Sequence, residues 1–99
     1  MARIAPQPSD TSVEYIRLEV EDSDLDFSKA QAFAKKAALG KTEMPMLLAW
    51  NDEIRGIFHP TFECGKTKDP AWIVFARARG ANLTIDINNG DYVFMFLKL

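Results

Sequence analysis

Asp69–Leu97 reads DPAWIVFARARGANLTIDINNGDYVFMFL, and its punctuation decides the fold. Asp69 suits a helix N-cap and Pro70 the first helical position, where a missing N–H costs nothing. Trp72, Phe75, Ala76 and Arg79 recur at i, i+3, i+4 and i+7, and Gly80 follows as a stop signal. The competing reading makes Trp72–Ala76 a strand, since Ile73, Val74 and Phe75 favour strands. The cap, proline and glycine frame favours a helix. Leu83, Ile85 and Ile87 then alternate with polar residues, as in a half-buried strand, and Asn89-Gly90 supplies the positive-φ pair of a type I′ hairpin turn. That turn sets Ile87 opposite Tyr92, Asp86 opposite Val93, Ile85 opposite Phe94, Thr84 opposite Met95 and Leu83 opposite Phe96. One face of the hairpin is a complete apolar layer. The other carries Thr84 and Asp86 but also Val93, Met95 and Leu97, so the last strand is apolar on both sides.

Upstream, residues 1–12 are polar, contain two prolines, and are expected to form a flexible tail ahead of a single domain at 13–99. Val13–Val20 alternates as a strand with one buried side. Asp26 or Ser28 can cap the helix that follows, whose stripe is Phe27, Ala30, Phe33, Ala34, Ala37 and Ala38. Gly40 stands where a left-handed C-terminal cap is expected. Met46–Trp50 reads as a buried strand, and Asn51–Gly56 as a hairpin loop with Gly56 at positive φ. Ile57–His59 forms the return strand. Thr61–Lys68 has no period and is the longest irregular connection.

The element order is therefore β-α-β-β-α-β-β. The fold class expected is α+β, a mainly antiparallel five-stranded sheet with both helices on one face. Phe27, Phe33, Leu48, Trp50, Phe58, Trp72, Phe75, Leu83, Ile85, Phe94 and Phe96 are the expected core. Ninety-nine residues with 47% hydrophobic and 26% charged content are ordinary for a globular domain. A net charge of −2 gives no electrostatic case for nucleic acid. No apolar run is long enough to span a membrane. The single cysteine, Cys64, can form no internal disulfide, and a cytoplasmic protein is expected.

Leu47–Trp50 (LLAW), Phe58–Pro60 (F-x-P), a loop containing cysteine and glycine, Pro70–Trp72 (P-x-W) and Arg79–Phe94 together resemble a small uncharacterised prokaryotic domain family. The resemblance covers about half the chain. It implies an α+β domain and carries no catalytic residue across.

Chemistry is sparse. His59, Glu63 and Cys64 are ligand-type side chains near one loop, but H-x-x-x-E-C matches no zinc spacing and no second Cys or His completes a metal site. A Cys64 nucleophile with His59 as base lacks an orienting group. Gly65-Lys66-Thr67 imitates a P-loop end, but Pro60 stands where its first glycine belongs. Asp52 and Glu53 fall in the expected loop tip, where solvation keeps carboxylates ordinary. Trp72 can line an aromatic pocket or pack in the core. Arg79 can snorkel over the core or pair with a carboxylate such as Asp86 or Asp91. No catalytic residue, metal or cofactor is assigned.

Two functional readings follow. The first is a non-catalytic binding or assembly domain, a homo-oligomer or a binder of another protein, in contact through Val93, Met95 and Leu97. The second is a small-molecule-binding protein or enzyme with a site in the 59–72 loop, using His59, Glu63, Cys64, Trp72 and Arg79.

Overall fold

The Leu83–Phe96 hairpin forms in the register its sequence dictates. In the computed structural model, which describes residues 13–60 and 70–98, Ile87 pairs with Tyr92, Asp86 with Val93, Ile85 with Phe94, Thr84 with Met95 and Leu83 with Phe96. The expected tail at 1–12, the Thr61–Lys68 connection and the Asp69 cap lie outside the described residues. The turn holds Asn89 and Gly90 at positive φ (55° and 97°), as expected, and adds Asn88 at 54°. Asn88 tolerates this conformation because its side chain is fixed on both sides. Its Oδ1 accepts from the Val20 N–H at 2.7 Å and its Nδ2 donates to the Val20 carbonyl at 3.1 Å.

The elements are β1 (Glu14–Leu18), α1 (Phe27–Leu39), β2 (Pro45–Asp52), β3 (Ile57–His59), α2 (Ala71–Ala78), β4 (Leu83–Ile87) and β5 (Tyr92–Lys98). They form one sheet in the order β1-β4-β5-β2-β3. Three of its pairings are antiparallel, and β1 runs parallel to β4. The sheet is therefore mixed, within the expected α+β class and element order. β5 is the central strand, which is why it can afford apolar residues on both sides. Among the described residues, no helix is long and apolar enough to cross a membrane.

The two helices lie on opposite faces of the sheet, a correction to the one-face arrangement. Under α1, Ala30, Ala34 and Ala38 pack on Leu83, Ile85, Ile87, Tyr92, Phe94 and Phe96. On the other face, Trp72, Ile73 and Ala76 of α2 pack on Ala49, Val93 and Met95. The physical reason is β5 itself. Its two apolar rows both need removal from water, and two helices on one face would leave Val93 and Met95 bare.

Local chemistry sets the helix ends. Asp26 is the α1 N-cap, its Oδ1 accepting from the Lys29 N–H at 2.9 Å. Pro70 stands at the N-cap position of α2 and makes no side-chain capping hydrogen bond. Gly80 closes α2 at φ 82°: its N–H reaches the Arg77 carbonyl and the Ala81 N–H reaches that of Ala76, a Schellman arrangement. Gly40 departs from expectation with φ −73°. The N–H groups of Lys41 and Thr42 both reach the Ala38 carbonyl, so the chain leaves α1 through a further right-handed turn and needs no reversal. Phe33 also departs from expectation, being 42% exposed, because the helix rests on its every-fourth alanine line and Phe33 lies beside that line.

Candidate functional site

Of the residues expected to gather around the 59–72 loop, His59, Trp72 and Arg79 are described, and His59 and Trp72 lie on different elements. His59 lies opposite Trp50 at the sheet edge, with the two rings stacked at a centroid distance of 6.0 Å. Trp50 in turn meets Phe27 of α1 at 4.4 Å, which places this aromatic row on the α1 face. Trp72 is buried in α2 on the opposite face. Arg79 caps the end of α2 with its guanidinium 3.6 Å above the centre of the Phe75 ring, a cation–π contact on an exposed edge. Glu63 and Cys64 lie outside the described residues. His59 and Trp72 thus face opposite sides of the sheet.

The proposed contact row also changes. Val93 and Met95 are buried beneath α2 and Leu97 is half-buried, so the exposed apolar row inferred from β5 does not exist on that face. The apolar pattern there reports a helix within the same chain.

Two buried carboxylates carry more structure than sequence reasoning assigned them. Asp52 belongs to β2 and is fully buried, a correction to its placement at a solvated loop tip. Its Oδ1 accepts from the Arg55 N–H at 3.1 Å and its Oδ2 from Arg55 Nε at 2.6 Å, so the residue organises the β2–β3 turn. The turn ends on Gly56 at φ 68°, as expected. Asp86 accepts from the Gly90 N–H at 2.6 Å and the Tyr15 hydroxyl at 2.7 Å. Burial, followed by the hydrogen bond to Asp86, pushes the Tyr15 phenol up to about 12. Tyr15 is thus a neutral donor at neutral pH, with Arg17 lying over its ring at 5.3 Å. The sequence signal for Asp86 was a carboxylate set opposite Val93, on the face where β5 is apolar.

One exposed apolar surface stands out. The α1–β2 connection brings Leu39, Met44 and Met46 together at 57%, 67% and 46% exposure. With Lys35, Glu43 and Pro45 they line a groove of about 390 Å³. The groove runs along a strand edge, because β3 pairs only with Trp50–Asp52. Among the described residues, no strand lies beside the outer edge of Pro45–Ala49. Lys35 and Glu43 have no ion-pair partner among the described residues.

A mixed five-stranded sheet between two helices, with no evident reaction centre among the described side chains, defines a small α+β domain. The chain belongs to the family described as a domain of unknown function, DUF5619, whose model matches residues 13–96. Its fold is similar to the crystal structure of AF1514 from Archeoglobus fulgidus, described as novel, with a TM-score of 0.75 and 28% identity over 88% of this chain and 95% of that one. None of the curated proteins matches the chain.

Proposed function

We propose that the protein is a non-catalytic assembly domain that pairs with a second copy of itself through the Leu39–Met44–Met46 groove and the adjoining edge of β2. The observation that carries this reading is the coincidence of three exposed apolar side chains with an open strand edge. The rim supports a second copy as the occupant. One cation, Lys35, and one anion, Glu43, flank the same groove, and a two-fold pairing that brings Lys35 to the partner's Glu43 makes the same ion pair twice. Pro45, at the start of the strand, and the register shift between Leu47 and Ala49 limit the pairing to a short segment, which favours a closed dimer over an open fibre. A cytoplasmic setting accords with the lone Cys64.

Sedimentation of the full chain tests the proposal. The expected result is a reversible dimer that Met46→Lys weakens at least tenfold, about 1.4 kcal/mol. Lys35→Glu and Glu43→Lys should each weaken it by less, since rim charges contribute about 0.2–1 kcal/mol per pair. Mixing those two variants should restore association. A chain that stays monomeric at millimolar concentration overturns the reading, as does a dimer insensitive to all three changes.

A further inference from the structure

β1 is the last strand on its side of the sheet, and among the described residues no strand pairs with its outer edge. The ladder to β4 fixes which residues face that edge. The Glu14 N–H donates to the Asn82 carbonyl at 2.9 Å, and the Leu18 carbonyl accepts from the Asn88 N–H at 2.8 Å. Glu14, Ile16 and Leu18 therefore turn their backbone groups inward, and by strand alternation Tyr15 and Arg17 turn theirs outward. Asn88 carries the pattern further. Its side-chain amide takes both backbone groups of Val20, at 2.7 and 3.1 Å, where a strand would otherwise do so. Val20 is thus held inward like Leu18, and the groups of Glu19 join those of Tyr15 and Arg17 on the open side.

The side chains along this edge complement themselves. Arg17 and Glu19 are exposed on one face, while Ile16, Leu18 and Val20 are half-buried on the α1 face. A two-fold antiparallel pairing centred on Leu18 sets outward residues against outward residues, with Arg17 opposite the partner's Glu19 and Glu19 opposite the partner's Arg17. The neighbouring registers set Arg17 against the partner's Arg17, or Glu19 against the partner's Glu19, and like charges directly opposite destabilise. The helix supplies a cover for the same edge. Lys35 and Leu39 line the groove with Met46, so that flank of α1 looks toward β2. Phe33 precedes Ala34 where Lys35 follows it, and a rotation of about 100° each way puts Phe33 on the opposite flank, toward β1. Lys29 agrees with this placement, since it pairs at 3.6 Å with Asp22 of the β1–α1 connection.

We propose that β1 joins a second copy of the chain edge to edge, antiparallel and centred on Leu18, with Arg17 and Glu19 paired twice and the two Phe33 side chains closing over the junction. The two-fold axis of such a pair stands perpendicular to the sheet. It keeps both copies of α1 on one face and turns their Phe33 flanks toward each other. Phe33, 42% exposed, then gains the apolar cover that α1 alone does not give it. The occupant is a second copy because the charge order of this edge is its own complement. Charged side chains on an edge strand weaken its pairing, so this contact fills at higher concentration than the groove. The two contacts lie on opposite flanks of α1 and share no residue, so the two proposals fail separately.

The test is sedimentation of the full chain carrying Met46→Lys, which disables the groove and leaves the β1 contact to be read alone. The expected result is a reversible dimer at millimolar concentration. Arg17→Glu and Glu19→Arg, each added to that chain, should weaken it roughly tenfold, because either change turns both ion pairs into repulsions. The double variant Arg17→Glu, Glu19→Arg restores both pairs and should associate as the Met46→Lys chain does. Phe33→Ala should weaken the pairing at least about tenfold by removing its apolar cover. Amide hydrogen exchange in the unsubstituted chain is a second measurement. The Arg17 and Glu19 N–H groups should gain protection as concentration rises, while those of Ile16 and Leu18 stay protected throughout. The proposal is overturned by a Met46→Lys chain that remains monomeric at millimolar concentration. Arg17 and Glu19 amides that exchange at one rate at every concentration overturn it too, as does a double variant no better paired than the single ones.

Discussion

The two faces of the sheet are filled by opposite means. Under α1 the fully buried helix residues are all small, Ala30, Ala34 and Ala38, with Phe27 partly buried at the first turn, and the sheet contributes most of the bulk, from Leu83 through Phe96. Under α2 the helix contributes the bulk, Trp72 and Ile73, and the sheet offers Ala49, Val93 and Met95. Interiors pack at near-crystalline density, so large side chains on one layer need small ones opposite. The difference explains how β5 serves both faces. It presents Tyr92, Phe94 and Phe96 upward to an alanine helix and smaller Val93 and Met95 downward to a tryptophan helix.

The comparison breaks most readily at Trp72. The residue is 2% exposed and is the largest side chain on its face, so Trp72→Ala should cost about 3–5 kcal/mol. Against a typical total of about 5–15 kcal/mol this is a large fraction, and urea denaturation would read it as a lowered midpoint. A small loss would show that α2 covers the second face without holding it. On the first face the sign of the volume change reverses. Ala34 is fully buried against the sheet, and Ala34→Leu should cost about 1–3 kcal/mol through overpacking. Ala32, exposed one turn face away, is the control: Ala32→Leu should fall within about 0.5 kcal/mol of the parent. Equal effects at the two positions would refute the close approach of α1.

Much of this arrangement was written in local sequence. The Leu83–Phe96 register followed from Asn89-Gly90 and strict alternation, and Gly80 and Gly56 adopted the positive φ that their turns require. What escaped were choices made across the chain. The double apolar row of β5 announced that something covers Val93 and Met95, but a period of two cannot say whether that cover is a partner or α2. The parallel pairing of β1 with β4 joins residues some seventy positions apart, and no turn chemistry encodes it. Asp52 read as a loop residue because Asn-Asp-Glu looks like a turn. The ladder instead carries β2 on through Asp52, which sits opposite Tyr92, and the turn begins after it. The candidate surfaces were illegible for a related reason: Met44, Met46, Arg17 and Phe33 have ordinary sequence surroundings, and only the fold places them beside an open edge.

The smallest expected effect tests the part of the second face where polar residues stand in place of helix contacts. There Tyr15, Thr84 and Asp86 lie on the β1–β4 flank, while α2 sits over β2 and β5. Asp86→Asn keeps one acceptor oxygen for the Gly90 N–H and should cost about 1 kcal/mol. Its sharper reading is the Tyr15 phenol, which stands at about 12 against an ordinary 10.0. A raised phenol means the folded state holds the proton more tightly. Its contribution is fully present below pH 10.0 and is lost as pH rises through about 12. Asp86→Asn removes the second cause, the hydrogen bond to a carboxylate, and leaves burial, the first. Phenolate absorbance in a Tyr92→Phe background, where Tyr15 is the one remaining tyrosine, should therefore show a downward shift that stops above the ordinary value. No shift at all would mean that Asp86 serves the Gly90 turn alone and that Tyr15 is held up entirely by its burial.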